Sequence, residues 1–144
     1  MWRKVQEADL LSTLSMTEVE AFRGDSDFEK DPVEAQIRQT CAYVRGCIRT
    51  GGAKVRMAKE EDWLPESLIP PTMDYLRYNI LTRMNLVVNE SRSKAYDNAV
   101  KVFNELRRGD FVPESDETGE GEEQTPVKAN SPIAGTAKPE RMLD

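Results

Sequence analysis

No histidine occurs among the 144 residues, and cysteine occurs only twice. A conventional zinc centre would therefore need clustered cysteines or carboxylates, and none are spaced for one. Cys41 and Cys47 fall on one predicted helix, about 240° apart around its axis at 100° per residue, so they cannot easily bridge each other. They read as buried free thiols, small hydrophobes in a reducing compartment. Apolar residues make up only 38% of the chain, low for a protein that is globular throughout, so part of it is expected to lie outside any core. No apolar run approaches the ~18 residues of a membrane span, and the opening "MWRKVQEADLL" lacks the long apolar stretch of a secretory signal. The expectation is a soluble, non-exported protein with no membrane partner.

Positive charge is missing from one region in particular. Residues 1–109 carry 17 basic and 17 acidic side chains, whereas 110–144 carry 3 and 9, so the whole net charge of -6 sits in the C-terminal part. A neutral body argues against nucleic-acid binding by bulk electrostatics but leaves room for a local basic stripe. The chain divides accordingly into a helical domain at 1–109 and an extended, acidic and Pro-rich tail at 110–144.

What is present is mostly helical signal. "VQEADLLSTL" at 5–14 places Val5, Ala8, Leu11 and, less regularly, Leu10 and Leu14 along a short helical face. "SMTEVEAF" follows, with Ser15 and Glu18 in capping-box spacing. The polar "RGDSDFEKD" reads as a loop. At "DPVE" the start signals coincide: Asp31 can cap, Pro32 fits the first helical position and Glu34 completes the box. The helix that begins there repeats Val33, Ile37, Val44 and Ile48 at helical spacing, with Thr40 and Cys41 filling the gap, and "TGG" at 50–52 ends it. Gly46 inside it raises the expectation that another backbone comes close.

Residues 53–71 alternate weakly and accumulate prolines, an extended crossing segment anchored by Trp63, Leu64, Leu68 and Ile69. A helix over 72–88 presents Met73, Leu76, Ile80, Met84 and Val87 or Val88 on one face. Another over 91–109 presents Ala95 or Tyr96, Ala99, Phe103 and Leu106, then stops at Gly109. Arg107 and Arg108 fit its last turn, where cations complement the helix dipole. The "RGD" at 108–110 reads as this helix stop rather than as an adhesion tripeptide. The expected fold class is all-α: a small bundle of about four to five helices with a long extended tail.

Enzymatic chemistry needs a nucleophile beside a base, carboxylates in separated environments, a metal cluster or a phosphate-binding turn. The Gly51–Gly52 pair lacks a following Lys-Ser or Lys-Thr, and Glu60, Glu61 and Asp62 are consecutive carboxylates that point in different directions and read as a solvated surface turn. The expectation is a non-enzyme without catalytic residues, cofactor or metal. Arg38, Arg45 and Arg49 share one face of the helix over 31–50, offset by about 100° from its apolar stripe. That stripe fits a solvated face whose stems cover apolar surface, contact with carboxylates of a neighbouring subunit, or a polyanion passing nearby. Tyr43, Tyr75, Tyr78 and Tyr96 read as core or interface residues rather than a base-stacking platform.

The order of four segments carries a resemblance: "ADLLSTLSMTEVEAF", "EAQIRQTCAYVRGCI", "LPESLIPPTMDYLRYNILTRM" and "SRSKAYDNAVKVFNELRRGDFVPE". Over roughly residues 8–114 the chain resembles the head-to-tail adaptor (connector or head-completion) proteins of tailed bacteriophages. Such a resemblance implies a homo-oligomeric ring, typically dodecameric, made in the host bacterial cytoplasm and placed in the virion neck. The portal protein would lie on its head side, a stopper or tail-completion protein on its tail side, and phage DNA would pass through the channel. No catalysis is implied.

Within that reading Arg38, Arg45, Gly46 and Arg49 are candidates for a subunit interface or the DNA channel. A small helical DNA-binding or regulatory protein using the same stripe is the alternative. "PESDETGEGEEQTPVKANSPIAGTAKPERMLD", from position 113 to the end, is expected to be disordered alone and ordered by a partner. Its apolar handles, Val127, Pro132, Ile133, Met142 and Leu143, are candidates for docking on portal.

Overall fold

The computed structural model describes residues 1–24, 31–52 and 55–116, together with the backbone of 122–123. Five α-helices dominate: α1 (Glu7–Leu10), α2 (Met16–Gly24), α3 (Pro32–Thr50), α4 (Ile69–Arg83) and α5 (Glu90–Arg108). Short strands β1 (Trp2–Lys4), β2 (Arg56–Met57), β3 (Trp63–Pro65) and β4 (Glu122–Glu123) tie segments to this bundle. The protein is mostly helical, as its periodicities predict.

The long helices α3, α4 and α5 pack against one another, and α1 and α2 close the remaining side by lying on α3 and α4. Val33, Ile37, Thr40, Cys41, Val44 and Ile48 of α3 are all buried, as are Met73, Leu76 and Ile80 of α4 and Ala99, Phe103 and Leu106 of α5. Stripes at helical spacing thus become the three facing surfaces of one core. Both cysteines lie in it as free thiols. Burial pushes the Cys41 thiol up to about 12, so it stays protonated and behaves as an apolar side chain.

Helix ends follow local chemistry. Glu18 N–H donates to Ser15 Oγ at 3.1 Å and Ser15 N–H to Glu18 Oε1 at 3.0 Å, completing the box that opens α2. Asp31 Oδ1 accepts from Val33 N–H at 3.0 Å, ahead of Pro32. Asn89, which the sequence reading passes over, caps α5 by accepting from Arg92 N–H at 2.8 Å. That helix ends in a Schellman arrangement: Gly109 at φ 79°, its N–H to Leu106 O at 3.1 Å and Asp110 N–H to Glu105 O at 2.9 Å.

Three expectations change. The helical face expected over 5–14 shortens to α1 at Glu7–Leu10, and ahead of it β1 pairs antiparallel with β3, Trp2 opposite Pro65 and Lys4 opposite Trp63. Trp2 is fully buried while Ala8, expected on the inner face, is exposed. Next, α4 begins three residues early and takes Pro70 and Pro71 into its first turn, where the missing N–H groups would have had no helical partner anyway. It stops at Arg83, because Asn85 adopts the left-handed region at φ 58°, and Val88 rather than Val87 meets the core. Finally, the body runs beyond Gly109. Pro113 and Asp116 are buried, Phe111 packs on the core, and Asp116 N–H donates to Arg56 O at 2.7 Å.

Candidate functional site

Of the three arginines nominated on α3, two reach solvent and one does not. Arg38 and Arg49 are exposed, whereas Arg45 is only 5% exposed. Its position explains this: Cys41 precedes it by one turn and Ile48 follows by three residues, so buried neighbours flank it along the helix. The crossing segment then lies over it. Arg45 Nη1 donates to Trp63 O at 3.0 Å, Nη2 donates to Ala58 O at 2.6 Å, and the guanidinium sits 5.5 Å from the centre of the Trp2 ring. Burial lowers the Arg45 pKa, and the charge of Arg49 lowers it further.

Arg45 is therefore a clamp between α3, β1 and the segment leading to β3, and the expectation that it faces a neighbour or the DNA channel is corrected. Carbonyls of irregular backbone need a donor when buried, and the fork of a guanidinium reaches two of them at once. Gly46 also departs from expectation: a Cβ there would meet nothing within 4 Å, so no other backbone among the described residues approaches it. It leaves a shallow, half-buried place on α3. The close approach belongs to Gly51, where a Cβ would lie 2.1 Å from Leu106 O.

The four tyrosines form one ladder across three helices. Tyr43 of α3 stacks on Tyr75 of α4 at 5.2 Å between centroids, Tyr75 on Tyr96 of α5 at 5.4 Å, and Tyr96 on Tyr78 of α4 at 3.9 Å. Phe103 meets Tyr43 and Tyr75 edge-on from the core side. Arg107 lies 5.1 Å from the Tyr43 ring centre and donates to its hydroxyl. Every ring is half-buried, so the ladder seals the helix seam and presents one aromatic edge outward.

A third cluster fastens the chain beyond α5. Trp2 Nε1 donates to Glu114 O at 2.6 Å, the Ser67 hydroxyl and N–H donate to the Glu114 carboxylate, and the Met1 ammonium lies 3.1 Å from Glu114 Oε2. Burial pushes the Glu114 carboxyl up. The hydrogen bonds from Ser67, from backbone N–H groups and from the Met1 ammonium outweigh it and hold the group at about 2. Residues 122–123 then pair antiparallel with Arg56–Met57. Val127, Pro132, Ile133, Met142 and Leu143 lie outside the described residues.

Among the described residues no group of three or more Cys, Asp and Glu side chains is placed to hold a metal ion, and no helix is long and apolar enough to cross a membrane. A scan against protein-family models finds no match, and searches of curated proteins and of solved structures return none either. The surface features that stand out are therefore geometric: the exposed pair Arg38 and Arg49, the tyrosine edge, and an apolar loop between α4 and α5 that the periodicity of α4 misassigns to its buried face.

Proposed function

We propose that this chain is a structural adaptor of a phage neck, a ring subunit that joins portal to a stopper or tail-completion protein around the path of the DNA. One observation carries the reading: four sequence segments stand in an order that resembles such adaptors. The short helical pair, the helix containing "VRG", the "LP" step into the next helix and the glycine-terminated last helix are α1–α2, α3, β3–α4 and α5. The last matched residues, "FVPE" at 111–114, close back onto Trp2 and Ser67. A body neutral over residues 1–109 suits a channel wall, since firm phosphate contacts would slow the passage of DNA.

In this reading Arg38, Arg49 and the open face at Gly46 belong to contacts with a neighbour or with the channel, and the residues after 124 form a strap that docks on portal. The test is electron microscopy and mass measurement of the protein assembled with its portal. A ring matching portal symmetry is expected, attached in the full-length protein and unattached when the chain ends at Asp116. A particle with no ring refutes the proposal. Strong, salt-sensitive DNA affinity of the monomer, lost on replacing Arg38 and Arg49, would support the regulatory alternative instead.

A further inference from the structure

Strand β2 is only two residues long, yet the chain that follows α5 bonds it on both edges. On one edge Arg56 N–H donates to Ser115 Oγ at 3.1 Å, and Arg56 O accepts from Asp116 N–H at 2.7 Å. Successive residues of a strand turn their N–H and C=O groups to opposite edges, so those of Met57 face the other way. There β4 runs antiparallel, with Met57 opposite Glu122 and Arg56 opposite Glu123. Strand β2 is thus the middle of a clasp whose two arms are 115–116 and 122–123.

The two arms hold with different strength. The first continues from buried Pro113 and the Glu114 clasp, and Asp116 is itself only 2% exposed. The second is a ladder of two residues, which is marginal in water by backbone pairing alone. Charge supplies the rest. Residues 114–123 hold six carboxylates and no cation, whereas β2 and the turn after it present Arg56 and Lys59 to solvent, neither of them in an ion pair among the described residues. Val55 and Met57 on either side of Arg56 are buried, so the strand shows its one cation outward, at the register position of Glu123.

We infer that Glu122–Glu123 is the releasable arm of an electrostatic clasp, which docks the root of the tail on β2 in the free chain and lets go when the tail is drawn onto a partner. The fold permits this, because the body is closed through Asp116 without the second arm. Units of such low local stability are the ones that open without global unfolding. Release on docking rests on the adaptor reading, in which the residues after 124 bind portal; the clasp in the free chain does not.

The experiment is residue-resolved amide hydrogen exchange on the full chain, read at two neighbours. Met57 N–H reports the second arm and Arg56 N–H the first. Glu122→Pro removes a ladder donor and is expected to speed exchange at Met57 by about tenfold or more while leaving Arg56 unchanged. Arg56→Ser, or raising the salt to about 0.5 M, should speed Met57 by about threefold to fivefold. A Met57 rate that Glu122→Pro does not move overturns the clasp, and so do Met57 and Arg56 rates that rise together, since the arms would then not be separable. A rate that answers to Glu122→Pro but to neither salt nor Arg56→Ser overturns the electrostatic closure. In the complex with portal, Met57 is expected to exchange as fast as in Glu122→Pro. Attachment with Met57 still protected overturns release and leaves the adaptor reading standing, whereas a chain that never attaches sinks that reading and leaves the clasp to be judged on the free protein.

Discussion

A guanidinium taken out of water with no carboxylate among the described residues in hydrogen-bonding reach must replace its hydration with carbonyl oxygens and an aromatic face, and Arg45 does both, through Ala58, Trp63 and Trp2. Removing it leaves two buried carbonyls without a donor. Arg45→Ala is expected to cost about 2–4 kcal/mol in urea unfolding, and Arg45→Lys most of that, because one ammonium cannot span both oxygens. Arg49→Ala, on the same face but exposed, should stay within about 0.5 kcal/mol of the parent. Equal effects at the two positions would contradict the clamp. Glu114 gives the residue-scale prediction with a pH sign. Its folded value of about 2 lies below its ordinary 4.5, so its contribution is complete above 4.5 and is lost as the pH falls through that interval toward 2. Glu114→Gln should flatten the acid limb of stability there, measured as urea midpoint against pH, and leave stability near neutrality reduced and insensitive to that titration.

At the scale of elements, two glycines have exchanged the roles their positions suggest. Gly46 lies in the middle of α3 with open space around it, so Gly46→Ala should stabilise by about 0.5–1 kcal/mol through reduced freedom of the unfolded chain. Gly51 caps the same helix where α5 crosses, and a methyl group there would strike the Leu106 carbonyl oxygen; Gly51→Ala is expected to destabilise by about 3 kcal/mol. Thermal melts of the two variants moving in the same direction would overturn this account. The contrast also marks how much was legible in the sequence. Elements whose causes are local could be read directly: α3 from Asp31, Pro32 and its stripe, the start of α2 from Ser15 and Glu18, the end of α5 from Gly109. Elements whose causes are distant could not. Trp2–Lys4 becomes a strand only because Trp63–Pro65 comes alongside, and Gly51 is crowded only because α5 folds over it. For the candidate site, the shared face of the arginines was legible but not the burial of Arg45, though Cys41 one turn before it and Ile48 three residues after it were a signal available in the sequence.

For the whole molecule, charge divides the chain at Gly109, but packing carries the body on through Asp116. Between those positions lie Phe111 against the core, buried Pro113, the Glu114 clasp on Trp2 and Ser67, and Asp116 on Arg56. These contacts join the first strand, the turn before α4 and the segment after α5, so that segment closes the fold. A protein ending at Asp116 should therefore unfold in one cooperative transition with a urea midpoint close to that of the full chain. One ending at Gly109 strands the buried Trp2 indole N–H and uncovers apolar surface, and is expected to lose at least about 2 kcal/mol. The measurement is a pair of urea titrations with slopes compared, because a lowered slope in the shorter protein would show that β1 has also come free. Equal midpoints for the two truncations would mean that the body ends with α5 and that residues 110–116 already belong to the tail.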